Sequence, residues 1–401
     1  MPLKPFTGSF TQQEALDDNV IAAAATVLKS GRLHRYNTAE GELSKASELE
    51  QAYALYQGAR FCLACASGGY AMAIALRAAG LKPGETVLTN GFTLAPVPGA
   101  IASAGGKSVL VEITADLVID LEDLERKARS TGARFLLLSN MRGHLVDMDR
   151  LSDLVRRHSM ILIEDCAHTM GAAWNGRKSG GFGLAGCFST QTYKHLNSGE
   201  GGLLTSDDPD FMARAILLSG SYMLYERHGA APPAEAFGRI RLETPNMSGR
   251  MDNLRAAILL PQLARLENSI DRWNERYLAV EEGLRPVEGL VLPRRPEAER
   301  YVGSSIQFRL PGLSRQGAEA LVAACKALGV ELKWFGAADP VGFTSTHHSW
   351  RYVDPQLLPQ TDHVLSSLFD MRLPLTFTVE ECRHIASIIA HCAHGSSPSV
   401  P

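Results

Sequence analysis

The stretch FCLACASGGYAMAIALRAAG, Phe61 to Gly80, changes character halfway along. An unbroken apolar run gives way at Ser67-Gly68-Gly69 to an alanine-rich segment, and the whole reads as strand, tight turn and helix. The N–H groups and positive dipole end of such a helix can meet an anion with no side chain in the way, and a phosphate would fit. The glycines follow neither the Walker nor the dinucleotide-binding spacing, so a plain strand-to-helix turn stands beside the anion cradle as a reading.

Further along, the apolar runs TVLTNGF (86–92), SVLVEI (108–113), RFLLLSN (134–140) and SMILIEDC (159–166) alternate with helical candidates such as MDRLSDLVRRH (148–158). Runs that are apolar on both faces predict parallel strands covered by helices on each side. The expected fold class is therefore α/β, with a mostly parallel central sheet and ligands at the carboxyl ends of its strands. Leu254 to Leu284 keeps helical spacing for much longer and predicts a helix bridging two domains, with Pro261 as a kink or a second start. Beyond it, SSIQFRL (304–310), SRQGAEALVAACKALG (314–329), VELKWF (330–335) and VEECRHIASIIAHC (379–392) predict a smaller C-terminal α+β domain. The expected division is 1–262 for the large domain with an N-terminal arm, 263–395 for the small domain and 396–401 for a disordered tail.

The chain has 401 residues, 45% hydrophobic and 21% charged, with a net charge of -3. That is ordinary globular composition at a length suited to one large and one smaller domain, and it carries no basic footprint for nucleic acid. The start, MPLKPFTGSFTQQEALDDNV, lacks an apolar signal core, and no apolar run reaches the roughly 18 residues of a membrane span. A soluble, cytoplasmic protein with neither membrane nor nucleic-acid partner is expected. The seven cysteines are odd in number and scattered through apolar stretches, which predicts reduced thiols. Cys62 and Cys65 form a C-x-x-C pair with nothing nearby to complete a metal site. His347 and His348 are adjacent on a polar segment, poorly placed to chelate one ion, so a loop or substrate contact is expected there and no metal.

Two further stretches carry chemistry. SMILIEDC delivers Glu164 and Asp165 to the end of a strand, with His168 three residues on, although acids at strand ends also cap helices or bind magnesium. CFSTQTYKHLNSGEGGLLTSDD (187–208) sets Lys194 between hydroxyl residues and a glycine cluster. An anion cradle, a strand-end acid and a downstream lysine together suit pyridoxal 5'-phosphate. Its phosphate seeks a helix N-terminus, its pyridine nitrogen a carboxylate, and its aldehyde an amine.

At these residues the chain resembles the DegT/StrS family of fold type I pyridoxal-phosphate enzymes, best known as sugar aminotransferases. The likeness runs from about Gly31 to near Ala390. It rests on SGRLHRYN (30–37), the SGG turn, VLTNGFTLAPVPGAI (87–101), GHLVDMDRL (143–151), IEDCAHTMGAAWNGRKSGGFG (163–183), FSTQTYKHLNSGEGGLLTSDD (188–208), MDNLRAAILLPQL (251–263) and MRLPLTFTVEECRHIASII (371–389). By position, the resemblance makes Lys194 the Schiff-base lysine, Asp165 the partner of the pyridinium nitrogen and His168 the residue beside the ring. It places Ser189 on the phosphate, with Ser67, Gly68 and Gly69 at the backbone cradle, and implies a homodimer with shared active sites. Gly69 stands where the family has threonine, and Leu94 where it has a ring-stacking aromatic. Phe92, two residues earlier, leaves the stacking residue open. The family's partner-chain asparagine aligns nearest to Ser248, ahead of Arg250, with Asn246 two positions off.

The resemblance implies transfer of an amino group from glutamate or glutamine to a keto sugar, often nucleotide-linked, or to a cyclitol ketone. Arg32, His34, Arg35, Tyr36 and Arg250 are candidate substrate contacts, a solvated polar loop being the alternative for the first four. A lyase or dehydratase on the same scaffold is one alternative function. A non-catalytic cofactor-binding regulatory protein is the other.

Overall fold

The structure is a computed structural model that describes residues 3–342 and 346–396. Along the chain, α1 (Asp18–Ser30) and α2 (Lys45–Gln57) precede a regular alternation. It comprises β1 (Phe61–Cys65), α3 (Gly68–Ala78), β2 (Thr86–Asn90), α4 (Pro96–Ser103), β3 (Lys107–Val111), α5 (Leu121–Thr131), β4 (Phe135–Ser139), α6 (Met148–Arg157) and β5 (Ile161–Asp165). A short ribbon of β6 (Ala173–Trp174) and β7 (Arg177–Lys178) leads to β8 (Ala185–Ser189), β9 (Gly202–Ser206) and α7 (Pro209–Ser219). The chain continues through α8 (Asn253–Leu263), α9 (Leu266–Leu284), β10 (Glu299–Arg300), β11 (Ser305–Arg309), α10 (Arg315–Ala327), β12 (Lys333–Trp334), α11 (Pro359–Ser366), β13 (Leu368–Arg372) and α12 (Val379–Ser396).

Seven strands form one sheet in the order β1-β9-β8-β5-β4-β2-β3. Pairing is parallel from β8 outward to β3, while β9 runs antiparallel to both β8 and β1. The sheet is thus α/β and mostly parallel, as its apolar runs predicted. The reversal has a local cause: residues 190–201, the loop between β8 and β9, form turns and no helix, so no helical crossover carries the chain back and the second strand returns antiparallel. That loop holds Lys194. Both faces of the sheet are packed, one against α2, α5 and α6 and the other against α3, α4 and α7. Cys62 and Cys65 fall in these two different cores, on opposite faces of β1, and all seven cysteines are buried thiols outside any disulfide.

A second, three-stranded sheet, β11-β13-β12, packs with α9, α10 and α12 around Ile306, Phe308, Phe369, Ile385 and Ile388. The long amphipathic segment is two helices: α8 runs two residues past Pro261, then breaks before Leu266. Pro261 lacks the N–H that would bond back to Ala257, which weakens this turn, and it neither starts a helix nor kinks a continuous one. α9 does bridge, giving Leu266, Ile270 and Trp273 to the large core and Tyr277, Val280 and Leu284 to the small one. The position expected to divide the domains, 262, is crossed elsewhere too. Phe6 and Phe10 pack on Phe377 in the C-terminal core, and Trp350 and Leu358 return to Leu110 on β3. Of the tail expected at 396–401, the first residue ends α12 and the rest lies outside the described residues. Among the described residues no helix is long and apolar enough to cross a membrane.

Candidate active site

The carboxyl ends of β1, β2, β4, β5 and β8 converge on one edge, and there the chain leaves a cavity of about 400 Å³. Ser67, Gly68, Gly69, Leu94, Asp165, His168, Ser189 and Lys194 all line it. These residues are far apart in sequence, and parallel register brings them together: Ser139 at the end of β4 lies beside Asp165 at the end of β5, and Asp165 beside Cys187, two residues before the end of β8.

At one wall α3 begins. Ser67 caps it by accepting a hydrogen bond from the Tyr70 N–H at 3.0 Å, and Gly68 and Gly69 are its first two residues, whose N–H groups have no carbonyl partner within the helix. A Cβ on Gly68 would lie 2.8 Å from Ser189 Cβ, and one on Gly202, where β9 starts, 2.4 Å from the Ser67 carbonyl oxygen. Only glycine permits this close approach, which sets the Ser189 hydroxyl beside the helix N-terminus. A Cβ on Gly69 would meet nothing nearer than 3.8 Å, so the missing threonine leaves open space.

At the floor, Asp165 is held by its own neighbours. Its Oδ1 accepts from the Ala167 N–H at 3.1 Å and its Oδ2 from Ser139 Oγ at 3.1 Å. Ser139 in turn accepts from Thr93 Oγ1 at 2.7 Å, and its backbone is locked to the Asn90 side chain at both ends. Burial pushes the Asp165 carboxyl above its ordinary range, opposed by the charge of Lys194 and by those two donors. Lys194 Nζ lies 2.8 Å from His168 Nε2. Burial is the main cause that lowers the Lys194 amine to about 7; the attraction of Asp165 resists this, and the charges of Arg142 and Arg372 add to it. Burial also drives His168 well below the usual histidine value, so its ring is neutral. Its Nδ1 accepts the Arg142 N–H at 3.3 Å, which leaves the ring proton on Nε2, facing the lysine.

Leu94 lines the cavity, whereas Phe92 is packed edge-on against Phe335 at 5.1 Å in a small core of its own. β2 ends at Asn90, so the two residues are not on a common strand face. The other candidates lie elsewhere in this chain. Arg32 pairs with Glu42 on the surface at 2.8 Å. Arg35 is buried in an ion pair with Glu50 at 2.9 Å, and Tyr36 bonds His228 Nε2 at 2.7 Å. His34 packs edge-on against Tyr36, and Arg250 donates to the Gly220 carbonyl at 2.9 Å. None of these five borders the cavity; Arg35 and Tyr36 are buried in contacts of their own, while Arg32 and His34 face solvent. His195 also turns away, to Ser304 Oγ at 2.9 Å. His347 and His348 lie off the cavity and both reach Asp362 Oδ1, at 2.9 and 3.0 Å, a convergence their adjacency in sequence did not suggest.

The lining residues that escaped the sequence reading include Ser139, Arg142 and Arg372. The signal for Ser139 was available, since it is the first polar residue at the end of RFLLL. Arg142 and Arg372 gave none, being joined only when β13 comes up beside the loop after β4. Arg142 sits in the left-handed region at φ 56° and meets Asp370 on β13 at 2.8 Å.

The donor set suits a molecule with an anion at one end, an electrophilic carbon near an amine and a basic ring nitrogen near a carboxylate. Pyridoxal 5'-phosphate meets all three requirements. The phosphate would take the Gly68–Gly69 N–H groups with Ser67 and Ser189, the nitrogen Asp165, and the aldehyde Lys194.

The family model for the DegT/DnrJ/EryC1/StrS aminotransferase family matches residues 14–390. The L-glutamine:scyllo-inosose aminotransferase of Streptomyces griseus is 33% identical over 255 residues, 62% of this chain and 59% of that one. The GDP-perosamine synthase of Caulobacter vibrioides is 31% identical over 239 residues, 58% of this chain and 61% of the other. The match therefore spans about three fifths of these relatives' length. The crystal structure of 3-amino-5-hydroxybenzoic acid synthase superposes with a TM-score of 0.82 over 98% of this chain and 100% of that chain, at 23% identity.

Proposed function

This chain belongs to the DegT/DnrJ/EryC1/StrS aminotransferase family, and from that premise we propose that it is a pyridoxal-phosphate-dependent aminotransferase. It moves an amino group from glutamine or glutamate to a keto sugar or a cyclitol ketone. The observation that carries this reading is the Lys194 amine set 2.8 Å from His168 Nε2 in the cavity that Asp165 also lines.

When bound, the cofactor supplies an electron-withdrawing ring that stabilises the charge left on a carbon as it loses a proton. The chain does the rest. Asp165, kept in place by Ser139 and Ala167, holds a proton on the ring nitrogen. Lys194 Nζ, unprotonated in roughly half of the molecules at neutral pH, is the amine that would hold the aldehyde end of the cofactor, and the group that would take and return a proton. The His168 Nε2–H keeps that amine oriented. Leu94, Pro96 and Val97 give the cavity an apolar wall beside the cradle.

The names of the relatives support an amino donor and a keto acceptor as the small-molecule partners. A homodimer is the assembly we infer from the family, and the exposed apolar side chains of Ile21, Leu28, Leu33, Leu43, Tyr222 and Met223 support it. The test is turnover of L-glutamine with scyllo-inosose as a probe ketone. Loss of the donor amine that depends on a ketone, and that disappears in Lys194→Ala, is the expected result. Full turnover by Lys194→Ala would overturn the reading.

A further inference from the structure

We propose that Arg372, backed by Tyr193 and flanked by Arg142, is a second anion subsite that binds a carboxylate carried by a substrate and so aims the reacting carbon at Lys194. This rests on the aminotransferase reading above. Asp370 and Arg372 are two apart on β13 and share a face of that strand. Asp370 is wholly buried, holding Arg142 at 2.8 Å and accepting from Gln307 Nε2 at 2.8 Å. One step further along, Arg372 reaches the cavity, where its guanidinium lies 3.7 Å from the centroid of the Tyr193 ring. Tyr193 is the residue before Lys194, so the stack fixes the guanidinium next to the reacting amine.

The position is separate from the phosphate cradle. Gly68 and Gly69 lie on α3, whereas Arg372 comes from the other sheet. Arg142 and Arg372 place two cationic side chains, beside the Lys194 amine, around a cavity whose lining carboxylates are Asp165 and Glu200, and Asp165 already faces Ser139 and Ala167. Arg142 Nε is buried without a hydrogen-bond partner. Burial and then the charge of Arg142 lower Arg372 from its ordinary value, partly offset by Asp370 and Tyr193, and an incoming anion would add to that offset. A planar guanidinium held against a ring offers two parallel N–H groups, the match for a carboxylate. That carboxylate belongs either to the amino donor or to the keto acceptor.

The test follows the two half-reactions separately in the holoenzyme by cofactor absorbance, with L-glutamine as donor probe and a panel of ketones with and without a carboxylate as acceptor probes. In Arg372→Gln the saturation constant should rise about 10- to 100-fold for the carboxylate-bearing substrate, the loss of a charged hydrogen-bonded pair. The limiting rate should change less than about threefold, on the same reasoning that ground and transition states both hold the carboxylate, and Arg372→Lys should recover part of the affinity. A rise in the donor half-reaction assigns the subsite to the donor, and a rise confined to acidic ketones assigns it to the acceptor. No rise in either overturns it. Succinate offers a readout free of turnover: it should raise the unfolding temperature of the wild-type holoenzyme where the neutral succinamide does not. Equal effects of the two would overturn the subsite and leave the aminotransferase reading standing, whereas a wild type without any half-reaction would sink the latter.

Discussion

Lys194 sits where burial removes its proton and Asp165 tries to keep it, and the balance at about 7 sets a pH dependence. A lowered lysine gains reactivity as pH rises, because only the neutral amine attacks a carbonyl. Capture of pyridoxal phosphate by the cofactor-free protein should therefore quicken as pH passes through about 7 and level off about one unit higher, followed as growth of the visible band. A rate already flat between pH 6 and 9 would mean that the amine is not perturbed. Asp165→Asn keeps the shape but cannot hold the ring proton by charge, and it should lower kcat by roughly 100-fold or more while cofactor still binds. Lys194, Asp165 and His168 were legible because their chain order and their places after apolar runs follow from the parallel sheet. Arg32, His34 and Tyr36 were read as substrate contacts for their chemistry alone. Within this chain the same chemistry serves packing, as in the Tyr36–His228 bond.

The elements that position the site depend on two compact devices. The first is the close approach of α3, β8 and β9, where Gly68→Ala would drive a methyl group into Ser189. That variant should lose affinity for the cofactor, and for inorganic phosphate as a competitor, by about tenfold or more, since the cradle must open to admit the methyl. Isothermal titration would show it. The second is the buried set in which Glu50 of α2 holds Arg35, His228 and the Ala64 N–H. Burial alone would raise the Glu50 carboxyl, but the charges and hydrogen bonds of Arg35 and His228 pull it down to about 2. A depressed carboxylate adds stability above its unfolded value and loses it as pH falls, so this support should fade between about pH 4.5 and 2. Glu50→Gln should cost about 3 kcal/mol at pH 7, read from denaturant unfolding, because it strands a buried guanidinium. A cost under about 0.5 kcal/mol would contradict that account. The strand-turn-helix signal at 61–80 was plain in sequence because period and glycine coincide there. The break between α8 and α9 was half visible, since Pro261 marks a weak turn but cannot say how the flanking turns respond.

Across the whole molecule, the seven-stranded sheet and the β11-β13-β12 sheet meet at the cavity. His144 bonds Gln307 at 2.8 Å, Gln307 bonds Asp370, and Asp370 holds Arg142, so the loop after β4 is tied to β11 and β13 by buried polar contacts. No sequence pattern announced this network, because each link joins residues more than 60 positions apart. The homodimer inferred from the family should appear by sedimentation equilibrium as twice the chain mass, and Leu28→Glu should shift it toward monomer. A monomer at micromolar concentration would remove that inference. The most direct test of the central claim is the absorption spectrum of the purified holoenzyme before and after L-glutamine or L-glutamate, with no ketone present. The reading of Lys194 and Asp165 predicts that the yellow band gives way to the near-ultraviolet band of the aminated cofactor, and returns when a ketone is added. A yellow band unmoved by either amino acid would contradict it.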